Sequence, residues 1–168
     1  NMSARYSKTS RCSSAAAGDA ECFATVDLLI IDRNAAKAKF YKMGAASSFL
    51  LRNGKVKKFE QAALPIGIIP EIRLNHIAVR LKAGDIVVMV SDGITEAARV
   101  DGELRLAGSN CAEGSDGAWL HELLESRTAA ELVHLSVRRL AGEILDEAVL
   151  RYADRERDDL TVAVVKIL

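Results

Sequence analysis

The 168-residue sequence has no net charge, with 23 lysines and arginines against 23 aspartates and glutamates. Binding a polyanion by counterion release needs a concentrated basic surface. The lysines at 55, 57 and 58 stand beside a turn signal, where a solvated hairpin edge accounts for them. Nucleic acid is therefore not an expected partner. Long apolar runs are also lacking. Asp85-Ile-Val-Val-Met-Val90 holds one of the longest, far short of the ~20 residues that cross a bilayer. No membrane segment is expected within the chain, although a longer parent chain could carry an anchor elsewhere. Cysteine chemistry is sparse: Cys12, Cys22 and Cys111 form neither Cys-x-x-Cys nor a Cys/His cluster. An odd count without a secretory signal points to reduced thiols and a cytoplasmic setting.

Other signatures are missing as well. No Gly-x-Ser-x-Gly elbow surrounds Ser47 and Ser48, so neither reads as a nucleophile. His76, His121 and His134 have no metal spacing with one another and read as structural. Trp119, with Leu120, Leu123 and Leu124, reads as core or as a helix-docking surface rather than a ligand box. No internal repeat or linker is visible. What remains is 49% hydrophobic and 27% charged residues, the balance of one globular domain able to bury a core.

The strand signals come early. Phe23 to Ile31 is rich in β-branched and aromatic types. Asp32-Arg-Asn34 turns the chain, and Ala36 to Phe40 alternates apolar with polar. Phe49–Arg52 and Lys55–Phe59 flank Asn53-Gly54, a strong hairpin signal because both turn residues must take positive φ. These four strands are expected to follow one another as a meander. Leu64-Pro-Ile-Gly67 interrupts, Ile72 to Leu81 reads as a further strand, and Lys82-Ala-Gly-Asp85 as a tight turn. Ile86 to Val90 has the unbroken apolar character of a central strand. Residues 97–117 are polar, glycine-rich and aperiodic, a long surface loop. Thr128-Ala-Ala-Glu131 has the form of a capping box. The apolar residues behind it predict one amphipathic helix to about Tyr152. Leu160 to Leu168 closes the chain as a strand. Mostly antiparallel sheet plus helices gives an α+β layer fold.

Chemistry concentrates at two strand ends. Ser91-Asp92-Gly93 follows the central strand, and Asp158-Asp159 precedes the last one. If those strands are neighbours, Asp92 and Asp158 converge. Carboxylate oxygens suit hard divalent cations such as Mg²⁺ or Mn²⁺, and Gly93 lets the chain turn sharply beside one. The same aspartates could instead simply cap turns, a common use of Asp-Gly pairs.

Six segments in order carry a resemblance: Phe23-Ala-Thr-Val-Asp-Leu28, Lys42-Met-Gly44, Leu64-Pro-Ile-Gly-Ile68, Leu81-Lys-Ala-Gly-Asp85, Val90-Ser-Asp-Gly-Ile94 and Asp158-Asp-Leu-Thr-Val162. Together they resemble the phosphatase domain of stage II sporulation protein E and, more broadly, the bacterial PPM serine/threonine phosphatases. The resemblance runs from about residue 23 to 168 and leaves 1–22 as a flexible lead-in or the end of an element cut part-way through. It implies an α-β-β-α sandwich of two mainly antiparallel sheets, with the N-terminal part of the domain missing. It also implies that Asp92 and Asp158 ligate metal, with Gly93 and Asp159 beside them in a supporting role. The implied chemistry is hydrolysis of phosphoserine by a hydroxide that two Mn²⁺ or Mg²⁺ ions generate. By the same resemblance the substrate is a phosphorylated anti-sigma-factor antagonist, and a homodimer is possible.

The sequence departs from the family at one point. The family's Asp-Gly-Met-Gly motif, whose aspartate bridges the two metals, has no counterpart: Asp92-Gly93, Asp101-Gly102 and Asp116-Gly117 are each followed by something else. The rival expectation is therefore a catalytically incomplete module that uses the phosphatase fold for binding or scaffolding. A domain short of several strands is also expected to expose sheet edges and apolar surface.

Overall fold

The computed structural model describes residues 23–69, 74–97, 117–152 and 158–168. The lead-in 1–22 and most of the 97–117 loop lie outside the described residues.

Alternation with period two builds both sheets. β1 (Val26–Asp32) and β2 (Lys37–Met43) form an antiparallel pair joined by a turn in which the Ala35 N–H donates to Asp32 Oδ1 at 2.9 Å. β3 (Ser48–Arg52) and β4 (Lys55–Phe59) form the expected hairpin. Asn53 and Gly54 both adopt positive φ, 52° and 74°, as a two-residue turn between twisted strands requires. β5 (Ile77–Arg80) and β6 (Ile86–Val90) follow, and β7 (Val162–Lys166) ends the order.

The expected four-strand meander is corrected here. The two hairpins belong to different sheets, one ordered β1-β2-β5 and the other β4-β3-β6-β7. Residues 44–47, after β2, therefore carry the chain from one layer to the next instead of folding it back beside β2. The strand expected over Ile72–Leu81 is shorter, spanning Ile77–Arg80, with 70–73 outside the described residues.

β3 and β6 are buried on both faces, which explains their unbroken apolar runs. Phe49, Leu51 and Val88 point into one core, shared with the helices, while Leu50 and Val87 point into a second core beneath β1-β2-β5. The layers are thus helix, sheet, sheet. On β1 the alternate residues Leu28 and Ile30 remain exposed, 46% and 48%.

The helical layer holds α2 (Ala118–Glu125), α3 (Ala129–His134) and α4 (Val137–Tyr152); α1 (Asp92–Thr95) is a single turn after β6. The capping box forms as expected. Thr128 Oγ1 accepts from the Glu131 N–H at 3.3 Å, and Glu131 Oε2 accepts from the Thr128 N–H at 2.7 Å. That backbone hydrogen bond, with the Thr128 hydroxyl's own, holds the Glu131 carboxyl below its ordinary pKa. On α4, Leu140, Ile144, Ala148 and Tyr152 recur every fourth residue and are all buried.

One continuous helix from 128 to 152 was the expectation, and the structure breaks it. Leu135 is extended, with φ −68° and ψ 122°. The Lys166 ammonium takes the carbonyls of Leu132 (2.9 Å) and Val133 (2.7 Å), oxygens that a continuing helix would have used. A new turn starts at Ser136, whose carbonyl accepts from Leu140 N–H at 3.0 Å.

Candidate active site

β6 and β7 pair antiparallel, with Val90 opposite Val162, and the ladder continues past both strands. The Ser91 N–H donates to the Thr161 carbonyl at 3.0 Å, and the Thr161 N–H returns to Ser91 Oγ at 2.9 Å. The Ser91 hydroxyl then donates to the Asp159 carbonyl at 2.8 Å. Asp92, the first residue of α1, and Asp158, just ahead of β7, consequently sit on laced stretches of backbone. Among the described residues, each carboxylate accepts from the next amide: Asp92 Oδ1 from Gly93 N–H at 3.0 Å and Asp158 Oδ1 from Asp159 N–H at 2.8 Å. Asp159 contributes its main chain to this lacing.

Gly93 packs directly against the Asp158–Leu160 stretch. A Cβ on it would lie 2.8 Å from the Asp159 carbonyl oxygen, 3.2 Å from Leu160 Cδ2 and 3.4 Å from the Asp158 carbonyl carbon. The first contact is with backbone, so a methyl group can be housed only by moving the segments apart. Gly93→Ala is expected to cost about 1–3 kcal/mol by overpacking and to lower any phosphatase activity by roughly 100-fold, the penalty for about 1 Å of misplacement at a reacting centre. Thermal unfolding and phosphate release measured on the same preparation check both halves of that expectation.

The α1 turn is also held from the helical side. The Tyr152 hydroxyl donates to the Gly93 carbonyl at 2.7 Å, and the Trp119 indole N–H to the Ile94 carbonyl at 3.1 Å. Trp119 thus belongs to the core, as its sequence context indicates, but with its polar edge spent on the site. The Arg151 guanidinium stands 4.8 Å from its ring centre.

In front of this turn lies a cleft of about 340 Å³, with Asp27, Gly44, Ser91, Asp92 and Thr161 among its walls. Asp27 is a residue to which sequence reasoning gave no role. It lies directly opposite Lys42 across the β1–β2 ladder. Lys42 is fully buried and donates to Asp27 Oδ2 at 2.7 Å and to Ser48 Oγ at 2.8 Å. The Ser48 hydroxyl lies 3.2 Å from the same Oδ2. The second carboxylate oxygen, Oδ1, is buried without a hydrogen-bond partner among the described residues. One signal of this cluster was present in the sequence: Lys42 keeps the inward phase of Ala38 and Phe40, where a charge needs a partner.

The remaining candidates separate. His76 packs its ring 5.3 Å from that of Tyr41, His121 lies on α2 beside Glu125 at 3.7 Å, and His134 ends α3. Ser47 and Ser48 are buried, Ser47 with its hydroxyl 3.2 Å from Glu60 Oε1.

The cleft and the laced stretches offer carboxylate, hydroxyl and main-chain oxygens, a donor set that fits a hard divalent cation. The orphaned Asp27 oxygen fits the same chemistry, since a cation's water could satisfy it. Asp92 and Asp158 are the residues that would hold such an ion. Among the described residues, no group of three or more His, Cys, Asp or Glu side chains is gathered for metal binding, so these residues alone do not close a coordination shell.

Comparison with known proteins identifies relatives of the chain. The family model described as stage II sporulation protein E (SpoIIE) matches residues 7–168. Stage II sporulation protein E of Bacillus subtilis (strain 168) is 34% identical over 147 residues, which are 88% of this chain and 16% of that protein. The phosphatase domain of the cell fate determinant SpoIIE from Bacillus subtilis, presoaked with Mn, superposes with a TM-score of 0.62 at 28% identity, over 85% of this chain and 56% of that one. A second structure from that organism, the PP2C phosphatase domain with a fragment of the regulatory domain, gives 0.66 at 31% identity, over 85% and 37%. The chain thus spans about a sixth of the length of the curated relative.

Proposed function

The chain belongs to the stage II sporulation protein E family of PP2C-type serine/threonine phosphatases, and on that premise we propose that the protein carrying it hydrolyses phosphoserine on a partner protein with the help of Mn²⁺ or Mg²⁺. The observation that carries this reading is the lacing of Ser91, the residue before Asp92, to Asp159 and Thr161 at the end of β6. A bound divalent cation supplies an acidified water and neutralises charge on the transferring phosphoryl group. The chain's own residues do the rest. Asp92 and Asp158 would hold the cation, Gly93 permits the close approach of their segments, and Tyr152 and Trp119 hold the turn still. The two segments are thereby joined by main-chain bonds and the short Ser91 hydroxyl.

By its family the substrate is a phosphorylated anti-sigma-factor antagonist in sporulation or stress signalling, the setting is cytoplasmic, and a homodimer is the proposed assembly. No helix among the described residues is long and apolar enough to cross a membrane. The second reading, a binding or scaffolding module, draws on the sequence itself, which has no Asp-Gly-Met-Gly motif.

The test is phosphate release from a phosphoserine protein by the full-length protein that carries these residues. Release is expected with Mn²⁺ or Mg²⁺, to stop on adding EDTA and to return with excess Mn²⁺. No release with either ion, from protein that still binds the phosphoserine substrate, would favour the scaffolding reading.

A further inference from the structure

A buried lysine, an aspartate and a serine meet where the two sheets come together at the cleft. Lys42 and Asp27 belong to β2 and β1, whereas Ser48 begins β3 in the other sheet. As a mere clamp between sheets the arrangement is a poor one. A buried ion pair repays its desolvation only with excellent geometry, and an apolar pair of similar volume often stabilises as well or better. Nor does a clamp require what is seen at Asp27. Lys42 and Ser48 both engage Oδ2 and leave Oδ1 buried and unpartnered among the described residues. An unpaired buried carboxylate oxygen is costly, and Asp27 lines the same cleft as Asp92.

We propose that Asp27 is a positioning residue of the phosphatase site, its Oδ1 accepting a hydrogen bond from a water held in the cleft beside Asp92, with Lys42 and Ser48 fixing the direction in which it points. The inference rests on the phosphatase reading above. Asp27 does not replace Asp92 or Asp158 as an anchor. It orients the water that they and their cation hold, as outer partners of metal sites commonly do. An amide in its place would be inverted: its oxygen would turn to the Lys42 ammonium and present an NH₂ donor to the cleft, where an acceptor is required.

Two variants of the full-length protein test this, each examined for Mn²⁺ affinity by calorimetry, for steady-state kinetics on a phosphoserine protein, and for thermal unfolding. Asp27→Asn is expected to lower kcat by about 10–100-fold and to weaken Mn²⁺ binding by about 10-fold, the range for loss of an outer partner, with KM for the phosphoprotein unchanged. The double variant Asp27→Leu with Lys42→Met removes both charges, so it leaves no uncompensated lysine to unfold the chain. It is expected to melt within a few degrees of wild type and to show the same losses. A folded double variant with wild-type kcat and Mn²⁺ affinity would overturn the proposal and leave the cluster as a clamp. A wild-type protein inactive with Mn²⁺ would sink the phosphatase reading instead, and the Mn²⁺ affinities would still judge Asp27: equal affinity in wild type and both variants overturns its role.

Discussion

Asp92→Ala is expected to reduce Mn²⁺-dependent phosphate release by at least ~100-fold while leaving thermal unfolding almost unmoved. Loss of an outer partner at a metal site costs about 10–100-fold, and loss of an anchoring carboxylate should cost no less. The fold asks little of this side chain. It is exposed, and among the described residues its Oδ1 accepts only from the Gly93 N–H beside it, at 3.0 Å. A surface substitution of this kind changes stability by about 0.5 kcal/mol or less. The α1 turn keeps its other supports, because the Tyr152, Trp119 and Thr95 side chains all donate to its main-chain carbonyls. Activity and melting temperature are therefore expected to separate cleanly. A variant that retains activity within about threefold would put the chemistry somewhere other than the end of β6.

The largest effect on stability is expected from the opposite kind of aspartate. Asp85 is 1% exposed and grips Arg52 with both oxygens, Oδ1 to Nε at 2.8 Å and Oδ2 to Nη2 at 2.6 Å. Oδ2 also accepts the Lys82 N–H at 2.8 Å, closing the turn that starts β6. Arg52 in turn donates to the Arg80 carbonyl at 2.7 Å, so the network ties the end of β3 to the end of β5 in the other sheet. Donating to the Asp85 carboxylate raises the Arg52 guanidinium above its ordinary pKa, against the lowering effect of burial. Asp85→Ala strands that guanidinium and an amide together. Breaking a buried pair costs about 3–5 kcal/mol, and because Arg52 keeps 30% of its side chain in water, the expected loss is at the lower end, about 3 kcal/mol. For a domain of this size that corresponds to a fall in Tm of about 6–12 °C. Calorimetry of the variant checks it. A fall of less than 2 °C would mean that solvent replaces the carboxylate at little cost.

Local structure was legible where one residue type has one physical solution. Asn53-Gly54 demanded positive φ and gave the hairpin; Thr128 and Glu131 capped their helix; the apolar run 86–90 marked a strand covered on both faces. What one stretch of chain cannot encode is which layer it joins. The residues after Gly44 look like the close of a hairpin whether the next strand lies beside β2 or in the sheet beyond it, and the structure takes the second course. The break at Leu135-Ser136 was hidden for a similar reason. It depends on Lys166, some thirty residues away, competing for the carbonyls of α3.

The site was legible in part. Asp92 and Asp158 were picked out by motif and strand-end position, and the pairing of β6 with β7 brings their segments together. Asp27 and Lys42 lay inside two of the matched segments and Ser48 was considered only as a nucleophile; none was given a role in the site, because each alone is ordinary: an aspartate in a strand, a lysine beside a methionine, a serine after a serine. Their meaning comes from a ladder that sets Asp27 opposite Lys42 and from a second sheet that brings Ser48 within 2.8 Å of the ammonium. Tyr152 read as the end of a helix, and its hydroxyl on the Gly93 carbonyl was invisible until α4 was docked.

The indole at Trp119 has an optical consequence. It is the sole tryptophan of these 168 residues, 7% exposed, and its N–H is bound to a carbonyl two residues from Asp92. All indole emission from the chain therefore originates beside the α1 turn, from a ring whose surroundings include the Arg151 charge. A shift of the α1 turn by a few tenths of an ångström changes both the hydrogen bond and the local field, and so the colour of the light. The domain carries its own unlabelled fluorophore at the site, ready for titration with ions or phosphopeptides in solution.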